Sequence, residues 1–137
     1  MIAMWNKLRK ADDGASAIEF AIAAPVLIMF IYGLFAFGQI LEADAGMQHA
    51  LGQGARYATL CLNPTSAGCT NPTDTQITTK VTGALFGPAS SITPTITTDS
   101  VNKTKTISLT YSQPMYFLFF TGPTVTFTRS KVVYYAY

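Results

Sequence analysis

The chain has 137 residues, of which 49% are hydrophobic and 12% charged, with a formal net charge of +2. That length leaves room for one modest domain beyond an apolar segment, and not for a second. Three of the nine basic residues fall within the first ten positions, so no basic surface remains for nucleic acid, and DNA or RNA binding is set aside.

A short basic head, Lys7, Arg9 and Lys10, is followed by Asp12, Asp13 and Gly14. From there residues 15–41 form an apolar run whose one ionisable side chain is Glu19, long enough as a helix to cross the roughly 30 Å hydrocarbon core of a bilayer. The run exceeds the h-region of a secretory signal and no convincing A-x-A cleavage site closes it, so the helix is expected to be retained. The basic residues before it, against only Arg56 with Glu42 and Asp44 in residues 42–61, place the N-terminus in the cytoplasm and everything after the span outside. A carboxylate such as Glu19 costs on the order of 3 kcal/mol at mid-bilayer, so it calls for a partner. The alternative is a residue near the boundary that snorkels to water in a plain single-span anchor. Pro25 removes one helical hydrogen bond inside the span; a hinge and a proline whose freed carbonyl is satisfied by neighbours both remain open.

In residues 42–60 the small side chains Ala43, Gly46, Ala50, Gly54 and Ala58 recur at three- and four-residue intervals, the pattern of one helix face. Gly46, Gly52 and Gly54 each cost a helix up to about 1 kcal/mol relative to alanine, which argues for close approach of another backbone. A continuous helix over residues 15–60 would be about 69 Å long. His49 is the sole histidine and has no accompanying acid, base or nucleophile, so it reads as a polar helix residue. Arg56 could pair with Glu42 or Asp44, or meet another subunit. Cys61 and Cys69 are the only cysteines, with seven residues between them in a turn-rich loop over residues 61–74. Outside the cytoplasm such a pair is most simply a disulfide, worth about 2.5 kcal/mol in the chain-entropy model; free thiols are the alternative. No second cysteine pair accompanies them, so a metal site lacks ligands.

Residues 74–86 read as a short helix capped by Thr73 or Asp74, with Ile77, Val81, Ala84 and Leu85 on one face and Gly87-Pro88 as its stop. Beyond Pro88 the period falls to two. Ile92, Pro94 and Ile96, then Ile107, Leu109 and Tyr111, then Val125 and Phe127 alternate mostly with threonine and serine, giving half-buried strands. Residues 99–103 make a hairpin connection, Pro94 suits an edge strand, and Thr121-Gly122-Pro123 is read as the turn before the last strand. The apolar run 115–120 is expected to be buried against the upper helix, with an exposed subunit or membrane contact as the alternative. The aromatic end, residues 134–137, is expected to close the sheet. No phosphate loop, dinucleotide fingerprint, nucleophile elbow or paired acids are present, so the chain is read as neither an enzyme nor a cofactor binder.

The predicted architecture is therefore α+β: a long N-terminal membrane or filament helix carrying a small antiparallel sheet domain with one short helix. With these residues set out, the chain resembles TadE-like proteins, the minor pilins or pseudopilins of tight-adherence (Flp-type) pilus systems. The resemblance is carried by the basic leader, by Gly14-Ala15-Ser16-Ala17-Ile18-Glu19-Phe20, by Pro25 in the apolar helix, and by Ala55-Arg56-Tyr57-Ala58. It is strong over residues 7–60 and weak beyond. The departure from a phenylalanine start at Ala15 disfavours type IVa pilins and type II secretion pseudopilins, and the extra domain disfavours a major Flp pilin. The resemblance implies cleavage of a 1–14 leader after Gly14 by a prepilin peptidase, leaving Ala15 as a new amino terminus one helical turn from Glu19. An amine and a carboxylate about 4 Å apart at an effective dielectric near 20 attract by roughly 4 kcal/mol before desolvation. It further implies that Glu19, with Phe20 and Pro25, serves assembly. The transmembrane half would be residues 15–41, the extracytoplasmic half of the helix 42–60, and the head 61–137. Implied partners are other pilin or pseudopilin subunits, the peptidase, an inner-membrane assembly platform and membrane lipid. The chain would reside in the inner membrane and then in the filament at the cell surface. The alternative function is a single-span anchor displaying an extracytoplasmic binding domain.

Overall fold

The structure, a computed structural model, describes residues 12–62, 64–65, 68–117 and 120–135. The basic leader, two positions of the 115–120 run, the last two residues of the aromatic end and three residues of the cysteine loop lie outside the described residues.

Helix α1, Asp12–Ala58, runs for 47 residues, about 70 Å at 1.5 Å per residue, and passes through Pro25 without ending. It is followed by a two-stranded ribbon of β1, Pro64–Thr65, and β2, Gly68–Cys69. Helix α2, Asp74–Thr82, comes next, then a 3-10 turn, Gly87–Ser91. Strands β3, Thr95–Asp99, β4, Thr104–Phe117, and β5, Phe120–Tyr134, form an antiparallel sheet in the order β3-β4-β5. The molecule is thus α+β: one long apolar helix, one short helix and a three-stranded antiparallel meander.

Helix α2 starts where its cap chemistry places it. Thr73 Oγ1 accepts from the Gln76 backbone N–H, and the Gln76 side chain accepts from the Thr73 N–H, the reciprocal capping box that satisfies two orphan donors. The helix stops at Thr82, four residues short of the expected end, because Gly83 already acts as its C-cap. The chain then crosses Phe86 to Gly87, whose φ of +65° is a conformation glycine adopts freely and other residues rarely. Pro88 near the start of the 3-10 turn supplies no donor where none is required. Pro94 is buried and precedes β3 instead of lying within it.

The sheet departs from expectation at its far end. Residues Thr121, Gly122 and Pro123 do not turn the chain; they lie inside β5, which pairs with β4 from Tyr134 back to Phe120. The register changes between Pro114 and Tyr116, where one residue of β4 opposes two of β5. A bulge is where a strand tolerates a glycine and a residue without an N–H, so Gly122-Pro123 marks a bulge. Strands β4 and β5 consequently form one hairpin of 14 and 15 residues. Strand β3 accompanies β4 only as far as Ser108, so the rest of the hairpin extends as a two-stranded arm.

The core lies between the upper half of α1 and one face of the base of this sheet, closed by α2 and the 3-10 turn. Ala43, Met47, Ala50, Leu51, Ala55 and Ala58 from α1 meet Ile77 and Val81 from α2, Ala89 from the turn, and Ile107, Leu109 and Val133 from the strands. Strand alternation explains the last three, since β residues two apart share a face. The opposite face carries hydroxyl ladders: Thr110 lies 2.9 Å from Thr128 and Ser112 2.8 Å from Thr126, oxygen to oxygen.

Candidate assembly site on the long helix

The lower part of α1 is a rod of exposed apolar side chains. The helix Gly14–Ala58 is long and apolar enough to cross a membrane, and its most apolar 18-residue stretch has no part buried against the rest of the chain. Glu19 is exposed on this rod and shares a shallow open groove with Ile22, Ala23, Val26, Leu27 and Phe30. That set follows from helix geometry, because side chains three, four and seven apart line one face. Phe20 next to it is exposed, and Pro25 is half-buried. Ala15, four residues before Glu19 in the same helix, lies on the same face. What this arrangement offers chemically is a single carboxylate on a greasy surface, with no nucleophile or base near it in that groove.

The upper part of α1 is a packing surface within the chain. A Cβ placed on Gly46 would lie 2.6 Å from the Phe86 carbonyl oxygen, and one on Gly54 would overlap Val81 Cγ2. The chain around Phe86 passes over Gly46 backbone to helix, whereas at Gly54 the neighbour is a side chain of α2. Gly52, expected to mark a third approach, has nothing within 4 Å of a Cβ. Ala43, Ala50 and Ala58, on the same stripe, are buried.

Polar contacts clamp the sheet to α1. Arg129 of β5 donates through Nε to Asp44 Oδ1 at 2.6 Å and through a second guanidinium nitrogen to Oδ2 at 3.2 Å, and Gln48 donates to the same carboxylate at 2.8 Å. Asp44 is thereby engaged by Arg129 and not by Arg56, as one of the sequence expectations had it. Lower down, Gln113 of β4 donates to Gln39 at 2.7 Å. Lys105 of β4 pairs with Asp74 in the first turn of α2. Sequence reasoning missed Arg129 and Gln113. The signal was the period of two: continued from Phe127, it puts Arg129 on the helix-facing side of β5.

His49 lies with its ring centroid 5.8 Å from that of Phe86, a packing contact. Cys61 and Cys69 form a disulfide with Cα atoms 5.4 Å apart, just beyond the end of α1. Glu19 and this bridge lie at opposite ends of the rod, about 60 Å apart by helix rise, so the two do not form one site. Among the described residues no group of three His, Cys, Asp or Glu side chains is placed to hold a metal ion.

No curated protein and no solved structure matches this chain. Residues 14–56 match the family model described as TadE-like protein, a stretch that contains Gly14, Glu19, Pro25 and Arg56; over its long helix, the chain is similar to TadE-like proteins.

Proposed function

We propose that this chain is a minor pilin or pseudopilin of a tight-adherence pilus, held in the inner membrane by residues 15–41 until it enters the filament. In this reading a prepilin peptidase removes residues 1–14, and the amine left on Ala15 of one subunit is matched by Glu19 of its neighbour. The apolar rod supplies the contact area between subunits, and Pro25 gives the rod a place to bend. Residues 61–137 are displayed outside the cytoplasm, and the assembly platform is the partner that extracts the subunit from lipid. One observation carries the reading: a lone carboxylate five residues after a glycine, at the base of an exposed apolar helix. In lipid an unpaired carboxylate is unfavourable, so pairing with a terminal amine favours the assembled state over the dispersed one.

Expression with the cognate peptidase and platform, followed by mass spectrometry of sheared filaments, tests this directly. The expected mature chain begins at Ala15, and Glu19→Ala remains in the membrane fraction but is lost from filaments. A chain that enters filaments with Met1 still attached, or a Glu19→Ala variant that enters them normally, overturns the proposal. Unprocessed protein that resides in the membrane and never joins a filament is the outcome expected of a simple anchor.

A further inference from the structure

The β4–β5 arm does not end beside the upper half of α1. It continues along the helix past Gln39, where the two glutamine side chains meet, and reaches Gly33, on which a Cβ would lie 3.6 Å from the Phe117 ring. Gly33 is well inside the apolar run. At 1.5 Å per residue, Glu19 and Gln39 stand about 30 Å apart along the axis, one hydrocarbon thickness. If that interval is the core, the Phe117 level is about 9 Å inside its outer boundary; if the core starts at Ala15 instead, that level is about 3 Å inside.

The arm's composition changes at the same level. No charged residue occurs between Lys105 and Arg129, and the far end presents Met115, Tyr116, Phe117 and Phe120. Phe117 and Phe120 stack with centroids 4.8 Å apart, yet Tyr116 remains 62% exposed and Phe120 56%. Tyrosine favours the zone between headgroups and acyl chains, and phenylalanines beside it bury their rings at the adjoining acyl boundary. A two-stranded arm also has outward-facing N–H and C=O groups that hydrocarbon cannot satisfy, which confines its end to the boundary of the leaflet, at the shallower of these two levels.

The geometry points to a second membrane contact: the end of the β4–β5 arm, through Tyr116, Phe117 and Phe120, seats in the lipid leaflet nearest the sheet, beside the helix that crosses it. This rests on the membrane-spanning part of the proposed function and on no claim about processing or filaments. The arm and the span together hold the sheet at a fixed height and angle on the bilayer. The occupant is lipid, because the exposed rings coincide in depth with the leaflet and carry no polar pattern that would pair with a specific protein surface.

The test uses the full chain in vesicles of phosphatidylethanolamine and phosphatidylglycerol, with its single tryptophan removed as Trp5→Phe. Three reporters are introduced one at a time: Phe120→Trp, Tyr116→Trp and, within the apolar helix, Phe30→Trp. Lipids brominated high or low on the acyl chain quench tryptophan by depth. The expected result is blue-shifted emission at 120 and 116 that is lost mainly to the shallow quencher, and emission at 30 lost mainly to the deep one. Quenching at 30 with none at 116 and 120 overturns the arm contact while leaving the span intact. No quenching at 30 removes the span and the arm contact with it. Emission at 116 and 120 that blue-shifts only as protein is concentrated in the bilayer, without quenching, assigns the rings to a neighbouring subunit and also overturns the proposal.

Discussion

Asp99 shows how one side chain shapes a connection. Its Oδ1 accepts from the backbone N–H groups of Val101 at 2.9 Å and Asn102 at 3.1 Å, and its Oδ2 accepts from the Asn102 side chain at 2.7 Å. These bonds let the chain reach Lys103, whose φ of +50° is uncommon outside glycine, and reverse into β4. The Asn102 side-chain amide first, and then the backbone donors, hold the Asp99 carboxyl below its ordinary value. A carboxylate with a depressed folded value contributes stability that is present above the unfolded pKa of about 3.9 and is lost as pH falls through the lowered folded one. The Val101 and Asn102 amide resonances are therefore expected to titrate with a midpoint below about 3.9. An acid titration followed by NMR checks this, and a midpoint at or above the ordinary value would show that the bonds do not favour the charged form.

At the scale of the element, α1 is one helix doing two kinds of work. Its lower turns expose Phe20, Ile22, Leu27, Phe30 and Phe35, whereas its upper turns bury small residues beneath α2 and the 3-10 turn. The glycines of the upper half separate by what lies over them. Gly54→Ala forces a methyl against the β-branched Val81, and Gly46→Ala forces one against a backbone carbonyl; each is expected to destabilise by about 1–3 kcal/mol. Gly52→Ala meets open space and is expected to stabilise by up to about 1 kcal/mol through helix propensity. Thermal melts of the three full-length variants in detergent, followed by near-UV circular dichroism, distinguish the cases. Equal shifts for all three would mean that the stripe is not a close-packed seam.

For the whole molecule, the decisive relation is the attachment of the sheet to the helix. The buried residues of the two meet around Met47, Ile107 and Leu109, and the Asp44–Arg129 fork fixes the lateral position. Both members of that pair retain solvent contact, which limits its strength. A double-mutant cycle of Asp44→Ala and Arg129→Ala is expected to give a coupling of about 0.5–1 kcal/mol, reduced when salt is raised. A coupling of zero would leave the apolar core and the Gln113–Gln39 hydrogen bond to tie the sheet to the helix.

Much of this was legible in the residues themselves. The apolar run with its single acid, a cap at Thr73 or Asp74, the alternating strands and the α+β class follow from local periodicity and cap chemistry, which act over a few residues; that Gln76 closes a capping box on Thr73 came from the structure. The cysteine pair could be read as a disulfide because the two are the only cysteines in the chain and follow the span on the side read as outside the cytoplasm. What no local pattern contained was how far β4 and β5 extend, since Gly122-Pro123 reads equally as a turn or a bulge, and only continued pairing down to Phe117 and Phe120 decides for the bulge. Nor could sequence say which acid Arg129 would find, or that Gln113 would meet Gln39 from 74 positions away. Those partners are brought together by the packing of the sheet on α1. The sequence by itself determined which faces would be apolar and where each helix could begin; the tertiary structure alone decided where the hairpin ends along the rod, because that depends on long-range register, in which each pair is positioned by the one before it.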